Sequence, residues 1–469
     1  MRNKWWPLAV VSLGAFMLLV DVTIVVVALP GMSRDLGASL SGLQWVMDAY
    51  TLGLAASLLV AGSLADRFGR RATYLASLAL FAAASLACGL AGDATTLVVA
   101  RTVQGVAGAA MFASTMALLN LAYRGRDRAV AFAVWGAVTG AAAATGPVLG
   151  GLLAEHLGWR SVFLVNLPIS VVAVVLALAV LGESRDPAAR RLDLPGAAAF
   201  TLSAAALVHG LIVAGEDGWT AATTLVRLAV GLLALAVFVA VEVVTERRGG
   251  HAMLDLGLFR RPAFVGVMLA ALLTSVSAFG YTAYTSLWLQ SALGLGAVGA
   301  GLALLPMSGA AFLTSAVTAR RLAGASPRVT ITVGLALVGV GALAQAFLDG
   351  ASSWTAVAPG LALSGVGIGL ALPHLNATAM AAVPPTRGGM AAGALNTARQ
   401  LGMALGIAAL GTAFATRADF RALADRAATA SGLNLALLIA GVVGLVGAVV
   451  VAVLLRPTAA EPVAVASTR

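Results

Sequence analysis

The chain has 469 residues, 60% of them hydrophobic and only 10% charged, against roughly 25% charged in an average soluble domain. A water-soluble protein of this size has too little polar surface to cover so much apolar side chain, so the composition excludes one. The net charge of +10 is carried almost wholly by arginine, Lys4 being the only lysine; no basic segment stands apart from the apolar runs, which excludes a nucleic-acid role.

About 20 apolar residues cross a bilayer as a helix. The first apolar stretch, near 8–29, has no convincing cleavage site and reads as a span rather than a signal peptide. Five more spans follow near 44–64, 72–92, 95–119, 129–154 and 160–181. A pair lies near 194–214 and 223–245. The last six fall near 263–290, 296–318, 329–348, 353–379, 389–413 and 433–456. The sequence thus predicts an all-α integral membrane protein of fourteen transmembrane helices.

Orientation follows from the basic residues, which accumulate in cytoplasmic loops. With the N-terminus inside, 21 of the 29 fall inside, six fall outside (Arg34, Arg160, Arg227, Arg417, Arg421 and Arg426), and Arg101 and Arg399 lie within spans. Both termini are therefore expected in the cytoplasm. Two polar stretches set a 6 + 2 + 6 plan: residues 1–181 as a first six-helix bundle, 182–261 as a linker with two accessory helices, 262–456 as a second bundle, and 457–469 as a tail. A weak echo joins the halves, since the stretch Gly62 to Arg71 after the second span corresponds to Ala319-Arg320-Arg321-Leu322-Ala323-Gly324 after the tenth. Repeated six-helix halves suggest a transporter with its substrate path between them.

Ionisable groups at membrane depth carry the most information, each costing roughly 2.5–3.5 kcal/mol on insertion scales. Asp21, Asp48 and Arg101 are expected in the outer half of the first bundle. Arg101, Gln104, Gly105 and Gly108 share one helix face by their spacing. Burial disfavours an ionised carboxylate and a nearby guanidinium favours it, so a switching Asp–Arg distance would toggle proton affinity. Asp21, with Arg101 as its control and Asp48 as a further candidate, is read as the proton-coupling group. Arg399 sits mid-membrane with Asn396 on its face, either meeting an anionic substrate group or bracing the helix. Glu242 is expected to snorkel to the interface, and His209 and His374 to be satisfied core histidines. Met17, Trp45, Tyr50, Trp135, Phe279, Tyr281, Tyr284 and Trp288 are candidates for an apolar lining. The substrate-pathway candidates are therefore Gln104, Asn396, Arg399, Tyr284 and Trp288.

In the loop after the second span, Gly62 and Gly69 are expected to permit a tight turn, and Asp66 to pair with arginine or a helix N-terminus. Gly62, Asp66, Arg67, Gly69, Arg70 and Arg71 together read as a gating loop. In the fifth span Gly146-Pro147 interrupts backbone bonding while Gly150 and Gly151 allow close packing.

These segments resemble the major facilitator superfamily. Gly62 to Arg71 is similar to its Gly-x-Leu-Ala-Asp-Arg-x-Gly-Arg-Arg signature, Arg101 to Gly105 to its Arg-x-x-Gln-Gly signature, and Gly146, Pro147, Gly150 and Gly151 to the Gly-Pro-x-x-Gly-Gly element associated with antiporters. Val20 to Pro30 looks like the first-span signature of the fourteen-spanner drug:proton antiporters, the EmrB/QacA type, with Val26 where that signature usually has Asn. Further similarity lies at Trp159-Arg160, at Asn166 to Pro168, and at Asn396 to Gly402. The resemblance implies a proton-coupled antiporter that exports lipophilic drugs or antibiotics; a carrier for one metabolite or lipid would share the fold. The expected partners are a small lipophilic substrate, protons and the bilayer, and the chain is expected to act as a monomer. The arginine- and alanine-rich vocabulary is that of a GC-rich bacterial genome, which places the chain in a bacterial cytoplasmic membrane. No phosphate loop, nucleophile–base pair or metal-ligand cluster is visible, so neither enzyme activity nor a cofactor is expected.

Overall fold

A computed structural model of the chain describes residues 4–185, 193–248, 250, 253–321, 324–383 and 388–455. The expected tail 457–469, and Leu322 and Ala323 of the internal echo, lie outside the described residues.

The chain is a succession of long helices with short turns. The first bundle holds α1 (Trp6–Leu36), α2 (Leu40–Phe68), α3 (Arg70–Gly89), α4 (Ala94–Ala122), α5 (Gly125–Leu157) and α6 (Ser161–Val180), the last interrupted at Val165. Two further helices follow, α7 (Leu194–Asp217) and α8 (Ala222–Arg247). The last group is α9 (Pro262–Ala292), α10 (Ala297–Arg321), α11 (Pro327–Gln345), α12 (Ala358–Ala381), α13 (Gly388–Ala415) and α14 (Arg426–Leu454). Twelve of these are long and apolar enough to cross a membrane, and α2, bent by 55° between Leu58 and Val60, brings the number to thirteen. The remaining long helix, α13, has 28 residues and carries Asn396, Thr397, Arg399 and Gln400 in its first half.

Local chemistry sets the ends. Ser39, Asp93, Asp193 and Asp425 accept from the free N–H groups that open α2, α4, α7 and α14. Pro262 and Pro327 stand in the first turns of α9 and α11, where no N–H is needed. Gly69 alone separates α2 from α3, at φ +109°, a conformation open to glycine and costly to other residues. The turn is thus one residue long. Gly62, expected in the turn, lies within α2 instead, because the helix continues to Phe68 and turns only at Gly69.

Helices α1 to α6 pack among themselves, as do α9 to α14, and the groups meet along two long seams, α2 against α13 and α5 against α10, and a short one between α1 and α9. Helix α7 packs on α8 and also wedges against α2 and α13, where Val208 and Ile212 meet Leu52, Ala404 and Ala408. Arg67, Arg70, Arg71, Arg124, Arg126 and Arg128 mark one face of the molecule, here the basic face.

Bonds across the seams concentrate towards the opposite face. There Gln290 donates to the carbonyl of Val27 at 2.9 Å, and the backbone N–H of Val298 donates to Glu155 at 2.8 Å. Nearer the basic face, by contrast, a side chain at Gly62, Gly136 or Gly309 would meet nothing within 4 Å.

Candidate functional site

Asp21 is fully buried in α1 and ionically paired with Arg101 of α4, whose Nη1 lies 2.6 Å from Oδ2. Two amides complete the carboxylate's shell. Gln104 Nε2 and Asn166 Nδ2 each donate to Oδ1 at 2.9 Å. Gln104 also accepts from Arg101 Nη1 at 2.8 Å and donates to the Ser85 hydroxyl at 2.8 Å. Arg101 donates its Nε–H to the carbonyl of Val46 on α2 and lies over the Tyr50 ring, 4.2 Å from its centroid.

A charge pair removed from water is tolerable only when its remaining hydrogen-bonding positions are also filled. Here α1, α2, α3, α4 and α6 each contribute a group, so the pair cannot separate without rearranging the bundle. Close packing makes this possible. Gly105 and Gly53 let α2 and α4 touch backbone to backbone, since a Cβ at Gly105 would collide with the carbonyl of Tyr50.

The spacing on α4 anticipates Arg101 and Gln104 on one face, and Asp21 meets them. In this conformation Gln104 is fully buried within the cluster and lines no open path. Ser85 and the role of Asn166 escape a reading of the sequence. Asn166 stands in a matched motif, and polar residues at membrane depth were the available signal for both.

Asp48 is also fully buried, on α2, and neither of its carboxyl oxygens has a hydrogen-bond partner among the described residues. One turn earlier, Gln44 Nε2 donates to the Tyr284 hydroxyl of α9 at 3.1 Å, and that hydroxyl donates to the carbonyl of Ile407 on α13 at 2.5 Å. Tyr284 stacks on Phe414, and Trp288 is buried in the same core. Both aromatic candidates therefore belong to the shut half of the seam.

At the basic face, Arg70 makes two bonds to Asp66 Oδ1, at 3.0 and 2.8 Å. Glu183, beyond the end of α6, accepts from the backbone N–H groups of Arg71 and Ala72, and the Arg71 guanidinium donates to the carbonyl of Leu178. The stretch expected to gate is thus tied to the end of α6 by Glu183, which the sequence did not single out. Arg67 is exposed, its guanidinium over the Phe68 ring.

The Gly-Pro-x-x-Gly-Gly element clasps α5 between two partners. A Cβ at Gly146 would collide with the Thr23 hydroxyl, and one at Gly150 would lie 2.7 Å from the Ile24 carbonyl oxygen. On the other side a Cβ at Gly151 would lie 2.5 Å from the carbonyl oxygen of Ala297. Helix α5 runs unbroken through Pro147.

On α13, Asn396 bonds within its own helix, to the carbonyl of Ala392. Arg399 is half-buried, with no hydrogen bond or ion pair found among the described residues. Glu242 does not snorkel. It is fully buried, accepting from the Leu254 N–H at 3.0 Å because the segment after α8 folds back over it. Among the described residues no group of three or more His, Cys, Asp or Glu could hold a metal ion.

Two packed groups of membrane-length helices, joined along seams with a buried charge pair inside one of them, define a multi-pass membrane carrier. The comparisons sharpen the class. The family model for the Major Facilitator Superfamily matches residues 11–407, and the chain belongs to that family. It is 36% identical to "Multidrug resistance protein Stp" of Mycobacterium tuberculosis over 88% of this chain and 76% of that one. The "Tetracenomycin C resistance and export protein" of Streptomyces glaucescens is 33% identical over 89% of this chain and 77% of its own. A puromycin resistance protein of Streptomyces alboniger is 36% identical, over 92% and 86%. Among solved structures, a POT family transporter in complex with 5-aminolevulinic acid superposes with a TM-score of 0.68 at 14% identity, over 95% of each chain, which speaks to the fold. These relatives are transporters, not enzymes, and the chain is a multi-pass bacterial membrane protein.

Proposed function

We propose that the protein is a proton-coupled antiporter that exports lipophilic drugs or antibiotics across the cytoplasmic membrane by alternating access. In this reading α13 is the fourteenth span, the plan is 6 + 2 + 6 around the linker 182–261, the chain acts as a monomer, and the basic face with both termini is cytoplasmic. The basic residues support the orientation. The similarity to export and resistance proteins supports the substrate class.

The observation that carries the coupling is the buried Asp21–Arg101 pair. When α4 moves relative to α1, the guanidinium leaves the carboxylate, and a carboxylate so buried then takes a proton. Re-forming the pair expels it. One charge crossing 100 mV supplies about 2.3 kcal/mol, enough for a concentration ratio of order 50 at about 1.4 kcal/mol per tenfold. The basic-face gating stretch and the α5 clasp are the parts that open and close. The seams, bonded towards the opposite face, correspond to a state open to the cytoplasm. Asp48 is the further candidate, beside Asp21 and Arg101, for handling protons.

A narrower reading, export of one native compound, is favoured by the relatives named for single antibiotics. The test is a growth-inhibition panel in a pump-deficient bacterium, spanning lipophilic cations, neutral antibiotics and acids, with the native chain, Asp21→Asn and empty vector at matched membrane levels. Tolerance to several classes that disappears with Asp21→Asn is the expected result. Tolerance to one class alone selects the narrow reading. Tolerance that survives Asp21→Asn removes Asp21 as the proton site.

A further inference from the structure

A cavity of about 970 Å³ lies at the opposite face, walled by Ser39 and Gln44, by Gly215 and Glu216 at the end of α7, and by Gly411 and Arg417 at the end of α13. Its floor is Gln44, which is tied behind the cavity wall to the Tyr284 hydroxyl and through it to the carbonyl of Ile407. Gly411 lets α13 approach closely there, since a Cβ at that position would collide with both Gln44 and the Tyr284 hydroxyl.

Beneath the floor runs the face of α2 that carries Gln44, Asp48, Leu52 and Ala55, spaced as one helical stripe. Three of the four meet α13. Gln44 reaches the carbonyl of Ile407 at 3.4 Å, Leu52 packs with Ala404 and Ala408, and the carbonyl of Ala55 accepts from Thr397. Asp48 is the fourth, so a carboxyl group is sealed into the seam between the two bundles.

The titratable or charged groups on the elements around α2 are Tyr281 and Tyr284 on α9, His209, Glu216 and Asp217 on α7, Arg399 on α13, Arg101 on α4, Arg70, Arg71, Tyr74 and Cys88 on α3, and Asp21, Arg34 and Asp35 on α1, with Tyr50 on α2 itself. Arg101 is committed to Asp21. Among the described residues none bonds to an Asp48 carboxyl oxygen. An ionised carboxylate with neither water nor donors is strongly disfavoured, whereas a neutral carboxyl is tolerated.

We propose that Asp48 is a proton-operated catch on the outer gate, the α2–α13 seam closing only when Asp48 has taken a proton from the outer cavity. The proposal rests on the export reading above, which makes the opposite face the outer one. When the seam opens, the Gln44–Tyr284 bond parts, the cavity deepens to reach Asp48, and the group ionises in water. The closed state holds one more proton than the open one, so acid favours closure and alkali favours opening. The proton leaves by the same route on reopening. Asp48 thereby sets the external pH at which the gate shuts, while Asp21 carries the charge coupled to export.

The experiment places spin labels on the cavity's two rims, at Ser39→Cys and Arg417→Cys in a Cys88→Ser background, and reads their distance in liposomes across the pH range of carboxylate titration. In the parent, and in Asp48→Glu, the closed-to-open ratio should fall about tenfold per pH unit once the group ionises. Asp48→Asn should stay closed and insensitive to pH. A pH response in Asp48→Asn equal to the parent's, or none in the parent, overturns the catch. In Asp21→Asn the rim response should persist while export is lost. A rim response lost in Asp21→Asn but kept in Asp48→Asn assigns the closing proton to Asp21, overturning the catch and leaving export intact. Full export with proton movement in Asp21→Asn, with the rim response still tied to Asp48, removes Asp21's role and leaves the catch standing.

Discussion

Gly301 on α10 rests directly against the carbonyl of Pro147 on α5, so closely that a side chain at Gly301 would collide with it. This contact and the neighbouring one of Gly151 on Ala297 hold the α5–α10 seam shut towards the opposite face. Gly301→Ala should therefore force the helices apart there, at about 1–3 kcal/mol for overpacking, and shift the protein towards opening on that side. Disulfide cross-linking between cysteines on the adjoining ends of α5 and α10 reads the shift as a lower yield. Gly309→Ala is the control, since open space surrounds that position; it should leave the cross-link unchanged and stabilise the helix slightly. Equal cross-linking in the two variants would show that the seam does not depend on the close approach.

The charge pair makes an asymmetric prediction. Arg101→Ala leaves Asp21 buried with only two amide donors, and breaking a buried pair in this way costs about 3–5 kcal/mol. Asp21→Asn is milder, because Arg101 keeps the Gln104 side chain and the Val46 carbonyl as acceptors. Thermal unfolding in detergent should rank Arg101→Ala well below Asp21→Asn, with the double variant recovering part of the loss. A double variant no more stable than Arg101→Ala would mean that the two residues are not coupled.

Much of this cluster was legible from the sequence, and the reason is physical. Insertion cost makes a charged residue at membrane depth conspicuous, so Asp21, Asp48 and Arg101 stand out; the helical repeat adds Gln104. Ser85 and Asn166 cost less to bury and are common in membrane helices, so their polarity at membrane depth, and the motif around Asn166, do not mark them out until their partners are known. Gly62 and Glu242 went astray for a different reason. Apolar runs fix a helix's existence better than its ends, and neither the continuation of α2 to Phe68 nor the fold-back of Leu254 over Glu242 leaves a local pattern. Helix α13 shows the converse, its polar residues lowering the very signal by which spans are counted.

Glu183 makes a prediction at the basic face. It accepts from two N–H groups in the first turn of α3, the part played elsewhere by a capping side chain. Glu183→Ala should cost about 1 kcal/mol of stability and loosen the stretch from Asp66 to Arg71 from the end of α6. Gly69→Ala should act more strongly, since it adds a strained φ of +109° to a clash with the Glu183 carboxyl. Proteolysis at the α2–α3 turn in inverted membrane vesicles measures both. Cleavage no faster in Gly69→Ala than in the native chain would dismiss the turn as a constraint.

Arg399 separates two accounts of α13. Arg101 has its charge balanced by Asp21, whereas Arg399, half-buried midway along α13, has no ion-pair partner among the described residues. A charge-assisted hydrogen bond contributes about 1.5–3 kcal/mol, so an acidic substrate group that meets Arg399 should lose tenfold or more in affinity with Arg399→Gln. Neutral substrates should be unaffected, cationic ones exported at least as well, and Arg399→Lys should restore part of the acid transport. If Arg399 instead braces the helix, Arg399→Gln should lower thermal stability and depress every substrate alike. Transport of one acidic and one cationic lipophile, measured in the same vesicles beside a melting curve, distinguishes the two, because only a substrate contact discriminates by the sign of the charge.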